Sequence, residues 1–145
     1  MIVWDDSILT GIPNVDRDHK EIVRLINAFL STIDTESGTS AVHDSFRAME
    51  HCIYRHLDRE ERMLEAVGYE GNEGHFATHR RLLDDLQEIW DDMLLDADFR
   101  PGEAAQNWLR SWLFEHVRHE DFAFRDWIEA AGKGDFANQQ MDYEA

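Results

Sequence analysis

Seven side chains with metal-binding chemistry recur at helical spacing in this 145-residue chain: His19, His56, Glu60, His75, His79, His116, and an acid just after His116, either Glu120 or Asp121. Positions four apart on a helix lie one turn above each other on one face, so His56 with Glu60, and His75 with His79, can each converge on a point between helices. Seven groups are too many for one tetrahedral site. Five imidazoles and two carboxylates suit a pair of octahedral metals, with bridging carboxylates, terminal histidines, a solvent-derived bridge and one open position. A buried polar group without a partner costs ~1 to 3 kcal/mol. For seven groups that is on the order of 10 kcal/mol, comparable with the stability of a whole domain, so the metal-free core is expected hardly to hold.

Spacing alone leaves the last acid open. Glu120 stands four residues after His116 and repeats the His56–Glu60 geometry, whereas Asp121 stands five after it, roughly 140° round an ideal helix. The stripe beyond continues equally well through Ala123 and Trp127 or through Phe124 and Ile128. A local π-type widening between His116 and Asp121 would turn Asp121 inward.

Four helices are needed to position these groups. Met1 to Pro13 reads as a mostly extended arm broken by Gly11 and Pro13, packed across the bundle through Trp4. The first helix is expected from Asn14 or Asp16, either of which can cap it, with an inward stripe of His19, Ile22, Val23, Ile26, Phe29, Leu30 and Ile33. A turn over residues 34–40 leads to a second helix ending near Val67. Its seam of Phe46, Met49, Ile53, His56, Glu60, Met63 and Val67 advances in steps of three and four. Gly68, Gly71 and Gly74 mark a loop; a third helix from about Glu73 carries His75, His79, Leu82, Leu86, Ile89 and Met93 inward. Asp98 to Gly102 forms the next turn, with Pro101 suited to a first helical turn. The fourth helix, through Leu109, Trp112, Leu113 and His116, runs to about Ala130, where Gly132 and Gly134 stop it. The remaining residues to Ala145 read as a polar tail of low order, with Phe136 and Tyr143 as docking points.

Short connections imply antiparallel neighbours, so the expected fold is all-α: an up-down-up-down four-helix bundle over 14–130, with an N-terminal arm at 1–13 and a tail at 131–145. His43, His51 and His119 fall off the seam and are expected at the surface, Cys52 as a half-buried small residue, and the pairs Asp84-Asp85 and Asp91-Asp92 on solvated faces.

Bulk properties narrow the function. With 43% apolar and 11% aromatic residues the chain can fill one sizeable core, so one domain is expected. A net charge of -17 repels phosphate backbones and anionic lipid, which excludes nucleic acid as a natural partner. No signal-peptide pattern and no membrane-length apolar run is evident. One cysteine forbids an intramolecular disulfide and fits a reducing cytoplasm.

The four elements in order, His19 within Asp-Arg-Asp-His-Lys, the H-x-x-x-E of His56 and Glu60, the H-x-x-x-H of His75 and His79, and the H-x-x-x-x-D of His116 and Asp121, resemble the full ligand set of the hemerythrin family in its single-domain bacteriohemerythrin form. The resemblance covers about Trp4 to Ala130 and favours Asp121 over Glu120. It implies two iron ions, one on His75, His79 and His116, the other on His19 and His56, bridged by Glu60, Asp121 and a solvent-derived oxo or hydroxo group. Nitrogen and oxygen ligands also accept manganese or zinc, so the choice of iron rests on the resemblance. The implied function is reversible dioxygen binding for carriage, storage or delivery, without enzymatic turnover. Leu57, Trp112, Leu113 and Val117 resemble the apolar wall of the family's oxygen pocket. Competing readings are oxygen or redox sensing through a separate signalling partner, and oxidase, peroxidase or nitric-oxide-handling activity. For a carrier, an oxygen-consuming enzyme is one candidate recipient. Ferritin-like di-iron enzymes use Glu-x-x-His pairs, and no glutamate here lies three before a histidine.

Overall fold

The computed structural model describes residues 1–142, and they are helical throughout their ordered elements. Tyr143, one expected docking point, lies outside the described residues. Before the first long helix a single 3₁₀ turn, Asp6–Ile8, is capped by the Asp5 carboxylate on the Ser7 N–H. Trp4 packs against the larger apolar core as expected, and Ile8 is the side chain that this segment buries fully. Trp4 is half-buried, donating from Nε1 to Asp6 at 2.7 Å under the Lys20 ammonium. The Asn27 amide holds the backbone of Ile2 at both its N–H and its carbonyl.

Helix α1 is Pro13–Asp34. It starts at Pro13, whose missing N–H costs nothing in a first turn, and no side chain caps it. Asp16, expected as a cap, instead folds back on the entering chain and accepts from Thr10 N–H and Oγ1, both at 2.8 Å, and from Gly11 N–H at 3.1 Å. Helix α2 is Thr39–Val67 and ends at Gly68, whose φ of 76° suits glycine. Helix α3 is Asn72–Leu95, so Gly74 lies inside the helix and not in the loop where it was expected. Helix α4 is Glu103–His116, and Pro101 falls just before it instead of within its first turn. A π turn over Val117–Asp121 joins α4 to α5, Phe122–Ala130.

The chain after Ala130 corrects the expectation of a loosely ordered tail. Gly134–Gln140 forms helix α6, and its buried residues are Ala137 and Met141, four apart on one face, while Phe136 is 43% exposed. Asn14 donates two hydrogen bonds to Asn138 across the ends of α1 and α6, from its backbone N–H to Oδ1 and from its Nδ2 to the carbonyl, and Lys133 Nζ closes the Val67 carbonyl at 2.8 Å.

Apolar side chains form two clusters. The larger joins Ile22, Ile26, Phe29, Phe46, Met49 and Ile53 to Leu82, Leu86, Leu109 and Leu113, with Phe29 and Phe46 edge to face at 5.2 Å. The smaller gathers Val15, Met63, Val67, Phe124 and Ile128 under Ala137 and Met141. Along α1, α2 and the α4–α5 pair buried polar residues fall between the two: His19 between Val15 and Ile22, His56 and Glu60 between Ile53 and Met63, and Asp121 between Leu113 and Phe124. The molecule is thus two apolar cores with a polar layer between them.

Candidate metal centre

Five imidazoles and two carboxylates meet in that layer. His19, Glu60, His79 and Asp121 are fully buried, His56 and His75 are 2% exposed, and only the His116 side chain, at 12%, reaches solvent. The imidazoles fall into two groups. His75, His79 and His116 lie within 4.5 to 5.2 Å of one another by ring centroid, and His19 faces His56 edge-on at 4.8 Å.

The carboxylates stand between the groups. Glu60 turns Oε1 toward His75 Nε2 at 2.7 Å and His79 Nε2 at 3.2 Å, and Oε2 toward His56 Nε2 at 3.0 Å. Asp121 does the same from the other side: Oδ1 lies 3.1 Å from His116 Nε2 and 3.5 Å from His75 Nε2, and Oδ2 lies 3.3 Å from His19 Nε2. Each carboxylate therefore has one oxygen for each histidine group.

These close approaches are mostly not hydrogen bonds. His19 Nε2, His79 Nε2, His116 Nε2, Glu60 Oε2 and both Asp121 oxygens are buried atoms without a hydrogen-bond partner despite neighbours near 3 Å. Donors about 2.1 Å from a shared ion at right angles to each other lie about 3 Å apart and aim at the ion, not at one another. Two donor sets have that convergence, Glu60 with His75, His79 and His116, and His19 with His56 and Glu60. Glu60 belongs to both. The residues fit a pair of metal ions.

Electrostatics agrees. Burial opposes charge on His56, but its hydrogen bond with Asp18 and the Glu60 carboxylate 3.0 Å away outweigh burial and raise its pKa to about 9. Burial likewise opposes ionisation of Glu60, yet His56, His75 and His79 hold its pKa well below the carboxylate range. Burial and the charge of Glu60 oppose ionisation of Asp121, and His116 with His19 holds it ionised nonetheless. His75 and His116 are raised against the cost of burial, chiefly by Glu60 and by Asp121 respectively. Two buried negative charges demand positive charge beside them, from protons or from cations.

The π turn places the two acids after His116 differently. Its i→i+5 pairing widens the helix by a residue and turns Asp121 inward to full burial, leaving the Glu120 side chain 35% exposed at 3.9 Å from His75 Nδ1. Of the histidines expected outside the seam, His51 and His119 are exposed. His43 is not. It is half-buried with its ring 5.2 Å from Trp90 and its Nε2 enclosed, because α3 brings an aromatic side chain against it. Cys52 is half-buried as expected, and burial pushes its thiol up to about 11. Leu57, Trp112, Leu113 and Val117 are all buried in the larger core, and the Trp112 ring stands 6.1 Å from that of His116. Sequence reasoning passed over Asp18 and Glu61, which touch the outward nitrogens of His56 and His79. The signal was the acid next to a site residue in each case, Asp18 before His19 and Glu61 after Glu60. A surface hollow bounded by Leu9, Pro13, Arg17 and Arg24 shares no residue with this centre.

A model of the family described as hemerythrin HHE cation binding domain matches residues 10–128. The chain belongs to the hemerythrin family. Its hemerythrin domain is 28% identical over 127 residues to the bacteriohemerythrin of Pseudomonas paraeruginosa, covering 86% of this chain and 80% of that protein. The bacteriohemerythrin of Stenotrophomonas maltophilia is 27% identical over 134 residues, covering 90% of this chain and 83% of its own. Hemerythrin subunit 1 of Golfingia vulgaris is 25% identical over 123 residues, covering 85% and 90% respectively. Among the described residues no helix is long and apolar enough to cross a membrane.

Proposed function

We propose that this chain binds dioxygen reversibly at a di-iron centre, for carriage, storage or delivery, and does not turn over a substrate. The observation that carries the reading is the pair of carboxylates, Glu60 and Asp121, each presenting one oxygen to a three-histidine group and the other to a two-histidine group. On this reading His75, His79 and His116 would hold one iron and His19 and His56 the other, with Glu60 and Asp121 shared between them. Two ferrous ions held there would supply the electron pair that reversible dioxygen binding borrows and returns.

The residues around the site govern reversibility. Leu57, Trp112, Leu113 and Val117 offer no carboxylate, imidazole or amine to donate a proton, and their burial keeps bulk water away. The wall therefore favours release over further reduction. The asymmetry of three histidines against two leaves the His19–His56 side with fewer protein ligands and hence the room for an exogenous one. Short connections between α1, α2, α3 and the α4–α5 pair support an antiparallel up-down-up-down bundle, entered by an N-terminal arm, as the frame. The single cysteine supports a reducing cytoplasm as its compartment.

Oxygen uptake tests the proposal. Reduced, iron-loaded protein is expected to take up one dioxygen for every two irons and to return it under vacuum. Uptake followed by hydrogen peroxide in solution, with no gas returned, overturns it.

A further inference from the structure

The two histidine groups are backed unequally. His56 Nδ1, the nitrogen pointing away from Glu60, hydrogen-bonds Asp18 Oδ2 at 2.9 Å, and the Asp18 side chain is 1% exposed. The same oxygen accepts from Arg59 Nη2 at 2.9 Å, and Arg17 Nη2 stands 3.7 Å from Oδ1. His79 Nδ1 meets a weaker counterpart, Glu61 at 3.2 Å, whose side chain is 32% exposed. His19 Nδ1 and His75 Nδ1 are buried without a hydrogen-bond partner. Among these four, one imidazole is thus fastened by a fully buried carboxylate that is itself held by an arginine.

An imidazole that donates Nδ1–H to a carboxylate presents Nε2 as a lone pair, is fixed in ring orientation and becomes a more basic ligand. A carboxylate shared with a guanidinium gives less of its charge to the imidazole than one left to the imidazole alone. We propose that Asp18 and Arg59 form a positioning and tuning pair: Asp18 sets His56 with Nε2 toward the metal and strengthens it as a donor, and Arg59 moderates that donation. The inference rests on the di-iron reading of the site and adds to it that the redox balance of the two-histidine side is set from Asp18. A stronger donor stabilises the ferric state, so the two residues push the potential in opposite directions.

Opposite signs make the idea testable against a merely structural role. Wild type, Asp18→Asn, Asp18→Ala, Arg59→Gln and Glu61→Gln are loaded anaerobically with ferrous iron, then compared for iron per chain, iron retention against a chelator, and midpoint potential. Asp18→Asn keeps a neutral acceptor at the same position. It is expected to retain both irons and to shift the potential upward. Arg59→Gln is expected to shift it downward, and Glu61→Gln to move it less than Asp18→Asn, since Glu61 is longer-range and partly solvated. Asp18→Ala leaves His56 Nδ1 unanswered and is expected to weaken iron retention roughly tenfold or more. Wild-type potentials in both Asp18→Asn and Arg59→Gln, or shifts of the same sign, overturn the inference while the iron count of the wild type upholds the site. A wild-type chain that takes up no iron overturns both.

Discussion

The larger apolar core and the polar layer beside it are built on the same helices and obey opposite rules. In the core Phe29, Phe46, Met49 and Ile53 are fully buried in one apolar cluster, with Phe46 stacked on Trp90, and carry no side-chain polar group that needs a partner. One turn further along, the layer holds seven buried donor and acceptor atoms of His19, His79, His116, Glu60 and Asp121 that their neighbours do not satisfy. The core is complete as protein, and the layer is complete only with something bound. Stability and function are therefore separable along a single helix.

Chelation breaks that comparison most severely. Removing both metals strands polar atoms worth ~1 to 3 kcal/mol each, several kcal/mol in all. For a domain of this size roughly 2 to 4 °C accompanies each kcal/mol, so thermal denaturation should show the metal-free form melting well below the loaded one; equal melting temperatures after complete chelation contradict the account. In the chelated protein protons replace cations, and the sign of the pH dependence follows from His56. Its pKa is raised to about 9 in the folded state against an ordinary value of 6.5, so its stabilising contribution is whole below pH 6.5 and fades as pH rises through 9. Chelated protein should then be less stable at pH 9 than at pH 6.5.

Phe46→Ala probes the other side. It opens a cavity between Phe29 and Trp90 and should cost about 3 to 5 kcal/mol by denaturant titration, in loaded and chelated protein alike. Glu60→Ala should lower the loaded form and remove bound iron, while the apolar core is untouched. A Phe46→Ala effect that vanished on chelation would show that core and layer are one unit.

Leu113→Ala lies where the two regions meet. The lost side chain should cost about 2 to 5 kcal/mol, and water admitted beside His116 should speed autoxidation of the oxygenated protein. An unchanged autoxidation rate assigns Leu113 to the core alone.

How much was legible follows the same division. The seam of Phe46, Met49, Ile53, His56, Glu60, Met63 and Val67 could be read from spacing because both regions share one helical period, and all seven are buried. The choice between Glu120 and Asp121 could not, because a π turn changes the period at the place where it matters. Helix α6 was hidden for a different reason: its apolar face is only Ala137 and Met141, too sparse for a stripe, and its fastening to Asn14 is a contact 124 residues away in sequence. His43 was missed because its shelter comes from Trp90 on another helix. Non-local contacts leave no local pattern.

Asn138→Ala gives the smallest effect. Losing the bond that its Oδ1 accepts from the Asn14 N–H should cost about 1 kcal/mol and leave iron content unchanged, by denaturant titration and metal analysis. Loss of iron in that variant would tie α6 to the polar layer, against the separation of regions argued above.

The most direct test of the central claim is the visible absorption spectrum of iron-loaded protein, reduced without air, exposed to oxygen, then flushed with inert gas. The account predicts a nearly colourless reduced form, a charge-transfer band on oxygenation, and loss of that band on flushing over many cycles. A band that forms once and decays to a stable oxidised spectrum would contradict it, because the layer would then be giving its electrons away and not lending them.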